Sequence, residues 1–217
     1  NTAVLCSYET NEFTFFFVIC RMVKLSVRHG LCSISAVAFS LYGALLTCPI
    51  ISDFDESYEM GRLALRAIDT LDAFMMKQQV FLFFYGSIAH CKDPLQASAP
   101  KLLEGYEAAF ALGDMESVTA HLQLYAGVAV WGCGEKLTKA EEIVRIHAKR
   151  MLQHKQVVSC KNILIHLQQA TELIGLHEDV YSTFLNISEE EFFRQEMNCR
   201  GAHTMKLILH TCRMYLA

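Results

Sequence analysis

Glu196, Cys199 and His203 stand at i, i+3 and i+7, on one face of a helix, and His210 continues that face two turns later. A carboxylate, a thiol and an imidazole are metal-ligating groups, and three of them on one face could hold an ion. Gly201 lies within the set, no fourth ligand follows, and an amphipathic helix produces this spacing freely, so no metal site is expected. His147 and His154, also seven apart, read as one solvated helix edge. Trp131-Gly132-Cys133-Gly134 is rich in glycine, but it follows a helical stretch and ends without a lysine. It reads as a turn between helices and not as a phosphate cradle. No Gly-x-x-x-x-Gly-Lys-Ser/Thr loop occurs, and no Ser/His/Asp or Cys/His set can be assembled without inventing the fold that would join it. The expectation is therefore of no catalytic, cofactor-binding or metal residues, and of a protein that is not an enzyme.

Nine cysteines (Cys6, Cys20, Cys32, Cys48, Cys91, Cys133, Cys160, Cys199 and Cys212) are scattered, mostly through apolar runs, and no two stand in a Cys-x-x-Cys spacing. Free thiols in a reducing cytoplasm fit that scatter better than a disulfide framework. Asn186-Ile187-Ser188 matches a glycosylation sequon, but the cysteines argue against secretion. Of the 217 residues 53% are hydrophobic and 19% charged, with a net charge of −4. That balance excludes a disordered chain, a coiled coil and a phosphate-tracking nucleic-acid binder. Leu31 to Ser52 contain no charged side chain, and Lys24 and Arg28 precede them. The alternative reading is thus a membrane-associated sensor segment using 31–52 as a hydrophobic helix. Ser33, Ser35, Ser40, Thr47 and Pro49 weigh against it, and a buried soluble helix is the preferred reading.

The elements that would position any site repeat along the chain. Tyr42-Gly43 recurs 43 residues on as Tyr85-Gly86 and, 40 further, as Tyr125-Ala126, each inside an uncharged helical stretch. Each such stretch is followed by an amphipathic one: Gly61, Ala64, Leu65, Ile68 and Leu71; then Leu102, Leu103, Tyr106, Ala109 and Phe110; then Ala140, Ile143, Val144, Ala148, Met151 and Leu152. Gly61 and Gly105 sit on these second helices, 44 residues apart. A helical glycine costs about 1 kcal/mol relative to alanine, so close packing at Gly43, Gly61, Gly86 and Gly105 is the expected compensation. Such a chain is expected to be all-α, an α-solenoid of antiparallel helix pairs, tetratricopeptide-like with a period near 40 residues.

Punctuation supports the alternation. Asp55, Asp93 before Pro94, Asp114 after Gly113, Thr138 with Glu141 and Ser188 with Glu191 all suit helix starts. The helices predicted are 12–29, 33–48, 55–74, 77–91, 94–112, 115–131, 139–154, 157–174 and 189–216, in one helical-repeat domain, 1–217, expected to be an internal piece of a longer chain.

The run from Arg21 to Gly30, then Ser35 to Gly43, Gly61-Arg62-Leu63-Ala64-Leu65-Arg66 and Tyr85-Gly86 resemble the helical-repeat region of very large multidomain signalling ATPases. In that family a serine/threonine kinase-like domain and a STAND-type ATPase precede the repeats, and a GAF sensor and histidine-kinase module often follow. The resemblance covers roughly residues 12 to 131 well and the remainder loosely. It implies a spacer and regulatory scaffold that contacts a protein segment or other domains of its own chain. The family's ATP-binding and phosphotransfer residues lie outside this segment.

Overall fold

A computed structural model describes residues 12–132, 134 and 136–197, and among these every regular element is a helix, with no strand. In chain order they are α1 (Glu12–His29), α2 (Ser33–Leu46), α3 (Phe54–Thr70), α4 (Lys77–Phe83), α5 (Leu95–Leu112) and α6 (Met115–Trp131). They continue with α7 (Leu137–Gln153), α8 (Val157–Ile174), α9 (Val180–Leu185) and α10 (Glu189–Met197). A 3-10 turn, Phe74–Met76, leads into α4, which runs on through a widened π-type segment, Phe84–Ile88, and a 3-10 turn, Ala89–Cys91. The chain divides into two compact units between Leu124 and Tyr125.

The first unit is built around α2. Every residue from Ser35 to Leu41 is buried, because α1, α3 and α4 all pack against this helix. An uncharged helix has no face suited to water, so full enclosure is its stable arrangement. The hydroxyls inside are satisfied: Ser35 donates to Ser26 Oγ at 2.8 Å and accepts from Cys32 N at 3.1 Å, while Ser40 donates to Val37 O at 2.9 Å. The core gathers Ile19 from α1, Val37, Phe39 and Leu41 from α2, Ala64 and Ile68 from α3, and Val80 and Phe81 from α4.

Residues 31–52 consequently do not form one hydrophobic helix, which corrects the alternative reading. α2 has 14 residues and ends at Leu46; Cys48 to Ser52 then turn back, with Ile51 N and Ser52 N both donating to Cys48 O. Among the described residues no helix is long and apolar enough to cross a membrane.

In the second unit α7 lays Ala140, Val144, Ala148 and Met151 against α8, whose Cys160, Ile163, Leu164 and Leu167 are buried. The short α9 packs on α8 and α10, and Tyr181 stacks on Phe192 with ring centroids 4.2 Å apart. α9 is absent from the sequence reading.

Several predicted starts move. Asp53, not Asp55, caps α3, accepting from Glu56 N at 3.0 Å; Asp55 instead pairs with Lys92 at 2.7 Å. Asp93 does not cap α5, which begins after Pro94; its carboxylate accepts from the Tyr58 hydroxyl at 3.0 and 2.9 Å. α7 starts at Leu137 after Lys136, so Thr138 lies inside the helix instead of capping it. Two caps stand where the sequence places them: Asp114 accepts from Ser117 N after left-handed Gly113, and Ser188 accepts from Glu191 N.

Candidate functional site

The glycines singled out by spacing fall into two groups in the first unit. Gly43 and Gly61 come together where α2 crosses α3: a side-chain carbon on Gly43 would stand 2.9 Å from Ser57 O and 3.4 Å from Gly61 N. Ser57 is fully buried in that crossing and donates to Gly43 O at 2.8 Å, a bond that only a close approach of the two backbones allows. The π-type segment after α4 covers the crossing, placing Ile88 over Gly43 and the Phe84 ring over Gly61. Tyr42 is half-buried beside this core, and Tyr85 meets Phe81 and Phe84 edge-on at 5.1 and 4.9 Å.

Gly86 and Gly105 lie elsewhere, and α6 supplies the partner of each. Leu124 fills the space over Gly86, and the His121 ring occupies the space over Gly105. His121 is fully buried, with Nε2 2.7 Å from Gln78 O. A carbonyl only accepts, so Nε2 carries the proton, and the imidazole is held neutral in that tautomer. Burial pushes its pKa down from 6.5 to about 4, partly offset by the Gln78 carbonyl and Asp114. Tyr125 and Ala126 belong to the second unit, and both are buried.

In the second unit His147 is buried in the α7 stripe while His154 is exposed, which corrects the reading of the two as one solvated edge. The stripe 140, 144, 147, 148, 151 has the spacing of a wide core face, and that signal is present in the sequence. Cys160 is sealed beneath Ala148 O at 3.7 Å, and burial pushes its thiol up to about 12, so it behaves as a small core hydrophobe. Cys20, Cys32, Cys48 and Cys91 are also free thiols. The candidate metal set of Cys199, His203 and His210, with the side chain of Glu196, lies outside the described residues. Among the described residues no group of three or more His, Cys, Asp or Glu could hold a metal. Cys133 of the glycine-rich turn is outside as well; Gly134 takes a left-handed φ of 65° between α6 and α7.

A surface feature suited to holding a partner's side chain in the first unit is a cleft of about 210 Å3 between α3 and α4, lined by Leu65, Ile68, Asp69, Phe74, Lys77 and Phe81. Its wall is fixed electrostatically. Lys77 and Lys101 each pair with Glu104, at 2.6 and 2.8 Å, and both ammonium groups sit over the Phe81 ring at 5.0 and 5.8 Å. Lys101 and then Lys77 hold the Glu104 carboxyl below its usual range. Phe74 and Met75 stand exposed at 59% and 61% in the turn before α4. An apolar floor, two projecting apolar side chains and an exposed Asp69 carboxylate suit an apolar anchor with polar neighbours. Sequence reasoning missed this site, because Phe74 read there as the last residue of a helix and Met75 as part of the gap before the next.

Compared with protein-family models, curated proteins and solved structures, the chain matches none of them.

Proposed function

We propose that this chain is a helical-repeat scaffold, a tetratricopeptide-like α-solenoid with a period near 40 residues. In this reading it mediates protein–protein or interdomain contacts within a multidomain signalling ATPase/kinase of the kind its sequence resembles. One observation carries the repeat. Gly43 lies against Ile88 and Gly86 against Leu124, while Gly61 lies against Phe84 and Gly105 against His121. The glycines of these two series advance by 43 and 44 residues and their partners by 36 and 37. A duplicated pair of helices would advance glycine and partner alike; here the partners advance seven residues less, so what supports the reading is the near-equal step within each series. Within the second unit Gly127 of α6 also faces α8, with His166 Cε1 3.8 Å from where its side-chain carbon would stand.

The cleft beside Phe74 supplies the docking point of this scaffold for a peptide segment, in the cytoplasm, where the free thiols would persist. Catalysis belongs, as the resemblance implies, to domains outside the segment. The test is photo-crosslinking in cells from a benzoylphenylalanine placed at Phe74, with a second probe at exposed Lys149 as control. Crosslinks from position 74 to one defined protein segment, absent from position 149, support the reading. Identical crosslinking patterns from both positions, or none from position 74, would refute it.

A further inference from the structure

The outward face of α1 combines two properties that no other described helix shares. Thr14, Phe17, Cys20, Arg21, Lys24, Leu25, Val27, Arg28 and His29 are all exposed on it, with Phe17 at 75% and Val27 at 72%. No acidic residue occurs anywhere from Phe13 to Ser52, in a chain whose net charge is −4. Among the described residues Arg21, Lys24 and Arg28 make no ion pair. The inner face of the helix is committed to the core through Ile19, Phe16 and Met22.

Three unpaired cations interleaved with large apolar side chains restrict what can lie on this face. Another apolar helix stacked there would bury Lys24 and Arg28 without partners, at a desolvation cost that packing does not repay. A second copy placed symmetrically would set the same cations against one another. An anionic bilayer meets both demands: the apolar side chains enter the headgroup boundary while the lysine and arginine stems reach up to lipid phosphates and carboxylates. From this complementarity we infer that α1 is a peripheral contact with an anionic membrane surface, using Phe17, Lys24, Val27 and Arg28. This does not rest on the repeat reading, and it places the contact on α1 instead of on residues 31–52.

The experiment is co-sedimentation of the whole chain with vesicles of phosphatidylcholine alone and of phosphatidylcholine mixed with phosphatidylserine, at low and high salt. Binding is expected to the mixed vesicles only and to weaken with salt. Each cation near an anionic surface raises partitioning roughly fivefold, so Lys24→Gln with Arg28→Gln should lower it roughly twenty-five-fold. Val27→Ser should weaken binding at both salt concentrations, since its contribution is not screened. Both changes lie on the exposed face, and unchanged far-UV circular dichroism shows that the variants remain folded. No binding to the mixed vesicles, equal binding to neutral ones, or binding indifferent to these substitutions overturns the inference. So does a dimer, seen by light scattering, that Val27→Ser dissolves, because the face would then be occupied by a second copy.

Discussion

Two glycines of neighbouring helices separate packing from propensity at the residue scale. At Gly105 a methyl group would overlap the His121 ring, which is fully buried and held by Gln78 O. The ring cannot give way without breaking that bond and leaving its buried Nε2–H unpaired. Overpacking costs roughly 1–3 kcal/mol and exceeds the helix-propensity gain of about 1 kcal/mol, so Gly105→Ala should lower stability in urea denaturation by about 2 kcal/mol. At Gly127 the nearest atom would be 3.8 Å away, ordinary contact, and Gly127→Ala should raise stability by up to about 1 kcal/mol. If both substitutions move stability in the same direction, the contact geometry is not what governs these positions. His121 makes a second prediction. Its folded pKa is depressed to about 4 from 6.5, so between those values the unfolded chain binds a proton that the folded chain excludes. The stability this burial confers is complete above about pH 6.5 and is lost as pH falls towards 4, on the order of 3 kcal/mol. His147 and His166, depressed to about 4 by burial as well, steepen the same acid limb. In His121→Gln the slope of stability against pH across this window should be shallower by up to one proton; an unchanged slope would show that the imidazole titrates freely.

At the scale of elements, the α2–α3 crossing depends on two small residues and one hydroxyl. A methyl on Gly43 would meet the Ser57 backbone oxygen at 2.9 Å, and a backbone atom cannot rotate away as a side chain can. Gly43→Ala should therefore force the helices apart and cost more than about 2 kcal/mol, while Ser57→Ala, which loses only the bond to Gly43 O, should cost about 1 kcal/mol. Thermal melts of the two variants order them; a Gly43→Ala melt no lower than that of Ser57→Ala would exclude a backbone-to-backbone crossing. Much of this architecture was legible beforehand. Uncharged stretches around Tyr42-Gly43 and Tyr85-Gly86, alternating with stripes such as Ala140, Val144, Ala148 and Met151, mark helices because burial follows the 3.6-residue period. What escaped depends on tertiary partners or on brevity. Asp53 and Asp55 are equally good caps by type, and only Lys92, contributed from beyond α4, decides which carboxylate stays at the helix end. Asp93 looks like a cap until Tyr58, 35 residues earlier, claims its carboxylate. The π-type segment around Gly86 carries no specific local signal, since Gly86 weakens a helix without choosing a π over an α register. α9, six residues long, is too short to show a stripe. The cleft lay hidden for a related reason: its walls, α3 and α4, were legible, but their spacing depends on the 3-10 turn that projects Phe74 and Met75.

At the scale of the whole molecule, the division between Leu124 and Tyr125 gives each unit its own core, one enclosing α2 and one between α7 and α8. Where stability is a sum of local cores and nearest-neighbour contacts, a loss in one core need not be shared by the other. Leu164 of α8 is fully buried, and Leu164→Ala should remove roughly 2–5 kcal/mol from the core it belongs to. Native-state hydrogen exchange can then be followed separately for amides of α2 and of α8. The α8 amides should lose protection by that amount, and the α2 amides should keep most of theirs. Unfolding in urea should likewise cease to be a single step in the variant, with intermediate helicity retained by residues before Leu124. An equal loss of protection in both helices, with one coincident transition by every probe, would mean that the two cores fold as one cooperative body. The repeat reading would then lose its energetic basis even if the glycine spacing stood, because a scaffold of nearest-neighbour repeats transmits destabilisation in steps and not all at once.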